Sequence, residues 1–263
     1  MKPDARRVAL ERLIDDAGLF PPARKPMERA VADHRSARAG SHAWMLGRFL
    51  CPASRLDELA GAGPDADWRL GAIADDGPVP AHAGPGVIDA IELRWAGAVP
   101  DAPPGVSVFV EVADAGVLGS LAADGRVGAK IRCGGLTADA FPTDDAVASF
   151  IAECVRLRLP FKATAGLHHP FRTRDEEIGV LQHGFVCLLA ATAVPDADTL
   201  AIVGETDADA FSLDADGLRW RDRVAGPGEL ARARELFTAY GSCSFDEPVE
   251  DLTADGVLEA ARA

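Results

Sequence analysis

Short apolar runs, each cut off by Gly, Pro or Asp, recur along this chain between stretches whose apolar residues return at helical spacing. Runs of the first kind read as buried strands, and a 3.6-residue period reads as helices packed on them. The strand pattern covers 43–51 (ended by Pro52), 69–74 (ended by Asp75-Asp76-Gly77), 88–94, 106–112, 129–133 and 160–165. Helices are expected over 4–16, where Val8, Leu10, Leu13 and Ile14 share a face, over 26–38, over 54–61 with Ser54 as N-cap, and over 114–123. The clearest spans 144–158: Thr143 can cap it, and Val147, Phe150, Ile151, Cys154 and Val155 line one side. Residues 176–193 are apolar nearly all round, the mark of a helix buried between layers. Beyond them, Phe211–Leu213 and Leu218–Trp220 flank a polar turn as in a hairpin, and a helix over 228–240 leads to a last short strand at 241–245.

Strands alternating with helices imply a parallel sheet. Six good strands and two poor candidates suit a (β/α)8-type barrel, regular or irregular, with an open doubly wound parallel sheet as the alternative. The Pro/Gly-rich stretches 76–87 and 95–105 are too irregular for helices, although a crossover of that length does not require one. The chain reads as a single domain over 1–263, with a helical extension over about 1–40.

Composition narrows the function classes. Hydrophobic residues at 48% and charged residues at 26% are those of an ordinary globular protein. A net charge of −14 disfavours nucleic acid and anionic membrane surfaces as partners, since both call for a basic face. The five cysteines are widely spaced with no CxxC pair, so neither a disulfide framework nor a zinc site is indicated, and reduced thiols in a cytoplasmic protein are expected. No apolar run is long enough for a bilayer, and the first residues lack the form of a signal peptide. No motif calls for a cofactor. The partner expected is a small anionic metabolite, and a homo-oligomer is compatible with the composition.

Strand parity locates the candidate chemistry. Residues two apart share a face, so Lys130 and Arg132 point one way, Lys162 and Thr164 share a face, Glu92 goes with Arg94, and Glu111 goes with Phe109. The apolar alternates should meet the helices, which turns the charges into the barrel or its mouth. Two readings are open: an ion-pair network that fills the barrel, or a site whose cations await a carboxylate or phosphate. Gly134-Gly135, directly after the Lys130 strand, can offer backbone N–H groups to an anion. His168 and His169 follow the Lys162 strand, where barrel active sites lie, with Arg172 close behind and His183 further on. His168 is the candidate acid or base among them. Ser242 and Ser244 can hydrogen-bond a substrate if their segment closes the barrel.

The run Lys162-Ala-Thr-Ala-Gly166 resembles the Schiff-base strand of class I aldolases of the deoxyribose-phosphate type, and Lys130-Ile-Arg132-Cys-Gly134-Gly135 is similar to their second lysine strand. The two occur in the opposite chain order here, and the likeness spans only these short segments. The resemblance implies a barrel lyase or isomerase in which Lys162 meets a small anionic carbonyl compound. In that reading Lys130 and Arg132 supply positive charge, and Glu92, Glu111 and His168 move protons. A metal-assisted hydrolase or lyase using His168, His169 and His183 is a second expectation, although no ligand motif supports a metal. A non-catalytic protein that binds an anionic metabolite is a third.

Overall fold

The computed structural model describes residues 3–75, 82–83, 86–101 and 103–259. Eight parallel strands close into a barrel: β1 (Ile14–Asp16), β2 (Leu46–Pro52), β3 (Arg69–Ile73), β4 (Gly86–Arg94), β5 (Ser107–Glu111), β6 (Val127–Arg132), β7 (Phe161–Thr164) and β8 (Phe237–Ser242). Each strand pairs with its successor, and β8 pairs with β1 through Ile14↔Tyr240 and Asp16↔Ser242. The (β/α)8-type barrel is therefore the fold, and the open-sheet alternative is set aside by the closing pair. Nine α-helices lie among the described residues: α1 (Ala5–Leu10), α2 (Met27–Ala39), α3 (Leu56–Ala62), α4 (Leu118–Asp124), α5 (Asp144–Leu157), α6 (Phe185–Ala193), α7 (Thr199–Val203), α8 (Pro227–Leu236) and α9 (Asp246–Ala254). No helix joins β4 to β5 among the described residues, and the β3–β4 connection lies partly outside them.

The outward alternates of the strands build the main core. Phe161 stacks on Phe237 with centroids 5.2 Å apart and takes the edge of Phe150 from α5 at 5.5 Å. Ile131, Ala163 and Phe161 thus face helices, as strand parity predicts. Thr143 caps α5 through an Oγ1 that accepts the Ala146 N–H, and α6 is buried on nearly every side. No helix among the described residues is long and apolar enough to cross a membrane.

Three expected elements differ. The helix expected over 4–16 stops at Leu10; Arg12 takes a left-handed backbone (φ 50°), and Ile14–Asp16 becomes β1. Within residues 3–40, α1 is therefore followed by a barrel strand and that strand's helix α2, so this stretch is not wholly a helical extension. The helix expected over 176–193 divides into a hairpin, Thr173–Asp175 with Val180–Gln182, and α6. The helix expected over 228–240 ends at Leu236, and β8 begins at once, so the closing strand lies earlier than 241–245. Ser54 does not cap α3; its N–H and hydroxyl both bond Asp75.

Candidate functional site

The charges that parity turns inward form one alternating chain across the barrel. Asp15 Oδ2 accepts from Lys162 Nζ at 2.5 Å, and the same ammonium bonds Glu92 Oε1. The other Glu92 oxygen accepts from Lys130 Nζ at 2.9 Å, and Lys130 reaches Glu111 Oε2 at 2.9 Å. Glu111 Oε1 then meets Arg132 Nε at 3.3 Å. Three carboxylates alternate with three cations, so the cationic set expected from the sequence does not stand unanswered. Asp15 is anchored further by the Arg48 N–H at 2.6 Å, and Gly47 leaves room for it: a Cβ there would lie 2.2 Å from Asp15 Oδ1.

Burial alone would push the carboxyl of Glu92 up, but the ammoniums of Lys162 and Lys130 hold it down at about 2. Glu111 follows the same logic: burial raises it, and Lys130 and Arg132 lower it more. For Lys130, burial favours the neutral amine, yet Glu92 and Glu111 outweigh burial and hold the proton on.

A cavity of about 960 Å³ opens above this chain at the C-terminal mouth of the barrel. Glu92 and Lys130 reach it from below, Arg132, Thr164 and Gly135 from the β6–β7 side, and Leu50 and Ile73 from the opposite, apolar side. His168, His169, Cys243, Ser244 and Glu247 form its rim. Lys162 does not line it; the side chain is 1% exposed and sealed behind Glu92. Glu111 also lines a second cleft, together with Arg132, Ile131 and Phe150 from α5, and touches the first through Lys130 and Arg132. No protein acceptor among the described residues answers the two terminal nitrogens of Arg132.

Arg172, His183 and Ser242 lie away from this cavity. Arg172 bonds Asp144 at 2.5 Å and the Val203 carbonyl at 3.0 Å, tying the β7–α6 loop to α5. His183 Nε2 meets the Pro142 carbonyl at 3.0 Å, and burial holds this ring's pKa below the usual value. Ser242 donates to the Ser244 carbonyl at 2.6 Å. The three histidines therefore do not converge, and among the described residues no three His, Cys, Asp or Glu side chains are grouped to hold a metal ion.

Gly134 acts by its size: a Cβ there would lie 2.8 Å from Gly166 Cα and 2.7 Å from the Phe141 ring. Gly166 has φ +65°, and its own Cβ would come within 2.9 Å of Gly134 Cα and 3.0 Å of the Cys133 carbonyl. This mutual approach turns the β7 loop back over the mouth and delivers His168. Gly166→Ala is expected to cost about 1–3 kcal/mol of stability, from a left-handed backbone and overpacking together, read as a shift in the urea midpoint at unchanged slope.

No family model and no curated protein matches this chain. The site must be read from its own geometry. On the rim, His168 Nδ1 lies 3.0 Å from Glu247 Oε2 and 3.9 Å from Cys243 Sγ, and these two neighbours raise the imidazole to about 10. His169 Nδ1 meets Asp251 at 2.6 Å. Strand reasoning alone does not find Asp15, Cys243 or Glu247. Asp15 obeys the same parity rule but sits in a three-residue strand. Cys243 and Glu247 carry no local motif and become visible only once β8 is placed.

Proposed function

We propose that the protein is a barrel enzyme, a lyase or isomerase, that acts on a small anionic carbonyl compound at the C-terminal mouth. The observation that carries this reading is that Lys130, alone of the two interior lysines, reaches the cavity, where it stands between the carboxylates of Glu92 and Glu111. Lys130 therefore takes the role that the resemblance to class I aldolases implies for Lys162, and Lys162 serves as the buried counter-charge that holds Glu92. Arg132 is the residue to receive the substrate's carboxylate or phosphate, a charge-assisted contact its planar head suits.

The chain of ion pairs couples these two roles. A substrate anion drawn to Arg132 competes with Glu111 for that guanidinium, which leaves Glu111 a stronger base beside Lys130. Glu111 can then take the Lys130 proton, and the neutral amine can attack the carbonyl carbon. The N–C bond forms as the C=O π bond opens; the oxygen takes one proton from His168 on the rim and a second from the attacking nitrogen, and departs as water to leave the protonated imine. This is the chemistry the likeness to class I aldolases implies.

Sodium borohydride reduction in the presence of 2-oxo acids and phosphorylated aldehydes, followed by peptide mapping, tests the imine. The expected result is an adduct on Lys130 that is absent from Lys130→Ala. A full panel without any adduct on Lys130 removes the imine route. The proton held on Lys130 favours a second route, in which its ammonium polarises the carbonyl oxygen and a carboxylate removes the α-proton. That route predicts deuterium exchange next to the carbonyl, followed by NMR, with nothing trapped.

A further inference from the structure

Cys243 is the one cysteine on the wall of the mouth, and neither proposed route uses it. The other four are packed in the cores, where burial pushes the thiols of Cys51, Cys133 and Cys187 up to about 12 and that of Cys154 up as well. Cys243 instead follows the last barrel strand, lines the cavity of about 960 Å³, and has its sulfur 3.9 Å from His168 Nδ1. The same nitrogen is bonded by Glu247 at 3.0 Å, which fixes the ring beside the sulfur. A ring nitrogen shared in this way cannot relay a proton between the two, as a hydrolytic triad requires. What it can do is hold a positive charge next to sulfur. Cys243 is itself buried, at 9% exposure, but it borders the cavity, and a cationic neighbour beside the sulfur is what favours the reactive thiolate.

We infer that Cys243, paired with His168 at the mouth of the barrel, is a modification site that takes a small soft electrophile, in particular a low-molecular-weight disulfide. The thiol first loses its proton to solvent. The sulfur anion then attacks one sulfur of the disulfide; the new S–S bond forms, the old one breaks, and the departing half leaves as a thiolate that takes a proton from water. The attached group occupies the cavity above Lys130, so the modification closes the mouth until a thiol reductant removes it. Neither lysine takes part in this step, so it stands or falls apart from the imine.

The test is stoichiometric labelling of the intact native chain with iodoacetamide, and separately with oxidised glutathione, mapped by mass spectrometry at neutral pH. One fast equivalent on Cys243 is expected, with the other four cysteines reacting only after unfolding. His168→Asn should slow that equivalent by about tenfold or more while the thermal melt stays cooperative. A measurement that needs no variant accompanies it: native Cys243 should react about tenfold faster than the same cysteine in a free peptide of residues 241–245. A Cys243 that reacts no faster than the peptide, or whose rate is indifferent to His168→Asn, overturns the inference.

Discussion

Glu92→Gln should destabilise the protein by about 3–5 kcal/mol, the range for breaking a buried ion pair and leaving its partners uncompensated. Glu92 is 1% exposed, and its two oxygens serve two different ammoniums, Lys162 and Lys130. A neutral amide keeps the shape, but one of its two ends becomes a donor facing an ammonium. The pH dependence has a definite sign. The carboxyl stands at about 2 in the folded chain against an ordinary 4.5, so its contribution is fully present above about 4.5 and is lost as pH falls towards 2. Urea midpoints measured across that window should fall steeply for the native chain and more gently for Glu92→Gln. Equal acid limbs for the two proteins would show that Glu92 is not the group whose protonation opens the barrel.

Much of this arrangement can be read from the chain, because alternation is a strict rule within a strand. Lys130, Arg132, Lys162, Glu92 and Glu111 all turn inward as parity requires, and Ile131, Phe161 and Ala163 all turn to the helices. What alternation cannot supply is pairing across strands. Whether three cations await a ligand or are answered by carboxylates depends on Lys130 lying opposite both Lys162 and Glu111, a register that only the closed sheet defines. The two strands that escaped the pattern did so for physical reasons. β1 is three residues long and follows α1 with no Gly or Pro between them, so the helical period of Leu10, Leu13 and Ile14 runs through the break. β8 starts directly after Leu236, where the only boundary is a change of backbone conformation inside a continuous run of helix-compatible residues. His183 and Arg172 misled in another way. Polar residues close in sequence to a barrel mouth can still point behind it, and these two tie the loop to α5.

Lys162→Met should be at least as damaging as the loss of Glu92, and it should invert the response to acid. Lys162 is the single cation between Asp15 and Glu92, both of which are all but excluded from solvent. Removing it sets two carboxylates against each other in a dry interior, with an expected loss of about 3–5 kcal/mol near neutral pH. Lys130 still faces Glu92, and the Arg48 N–H still faces Asp15, so the pair would keep some compensation. The remaining repulsion is relieved most readily by a shared proton, which raises the folded-state pKa of the pair above its unfolded value. A group shifted in that direction contributes most below its unfolded pKa and loses its contribution as pH rises, so the deficit of Lys162→Met should shrink on acidification from pH 7 towards about 4.5. Adding Asp15→Asn should recover part of the loss at neutral pH, and the coupling from the double-mutant cycle should be well above 1 kcal/mol for residues in such direct contact. A lysine whose loss left stability unchanged, while carbonyl trapping disappeared, would instead assign Lys162 to the chemistry and Lys130 to its support.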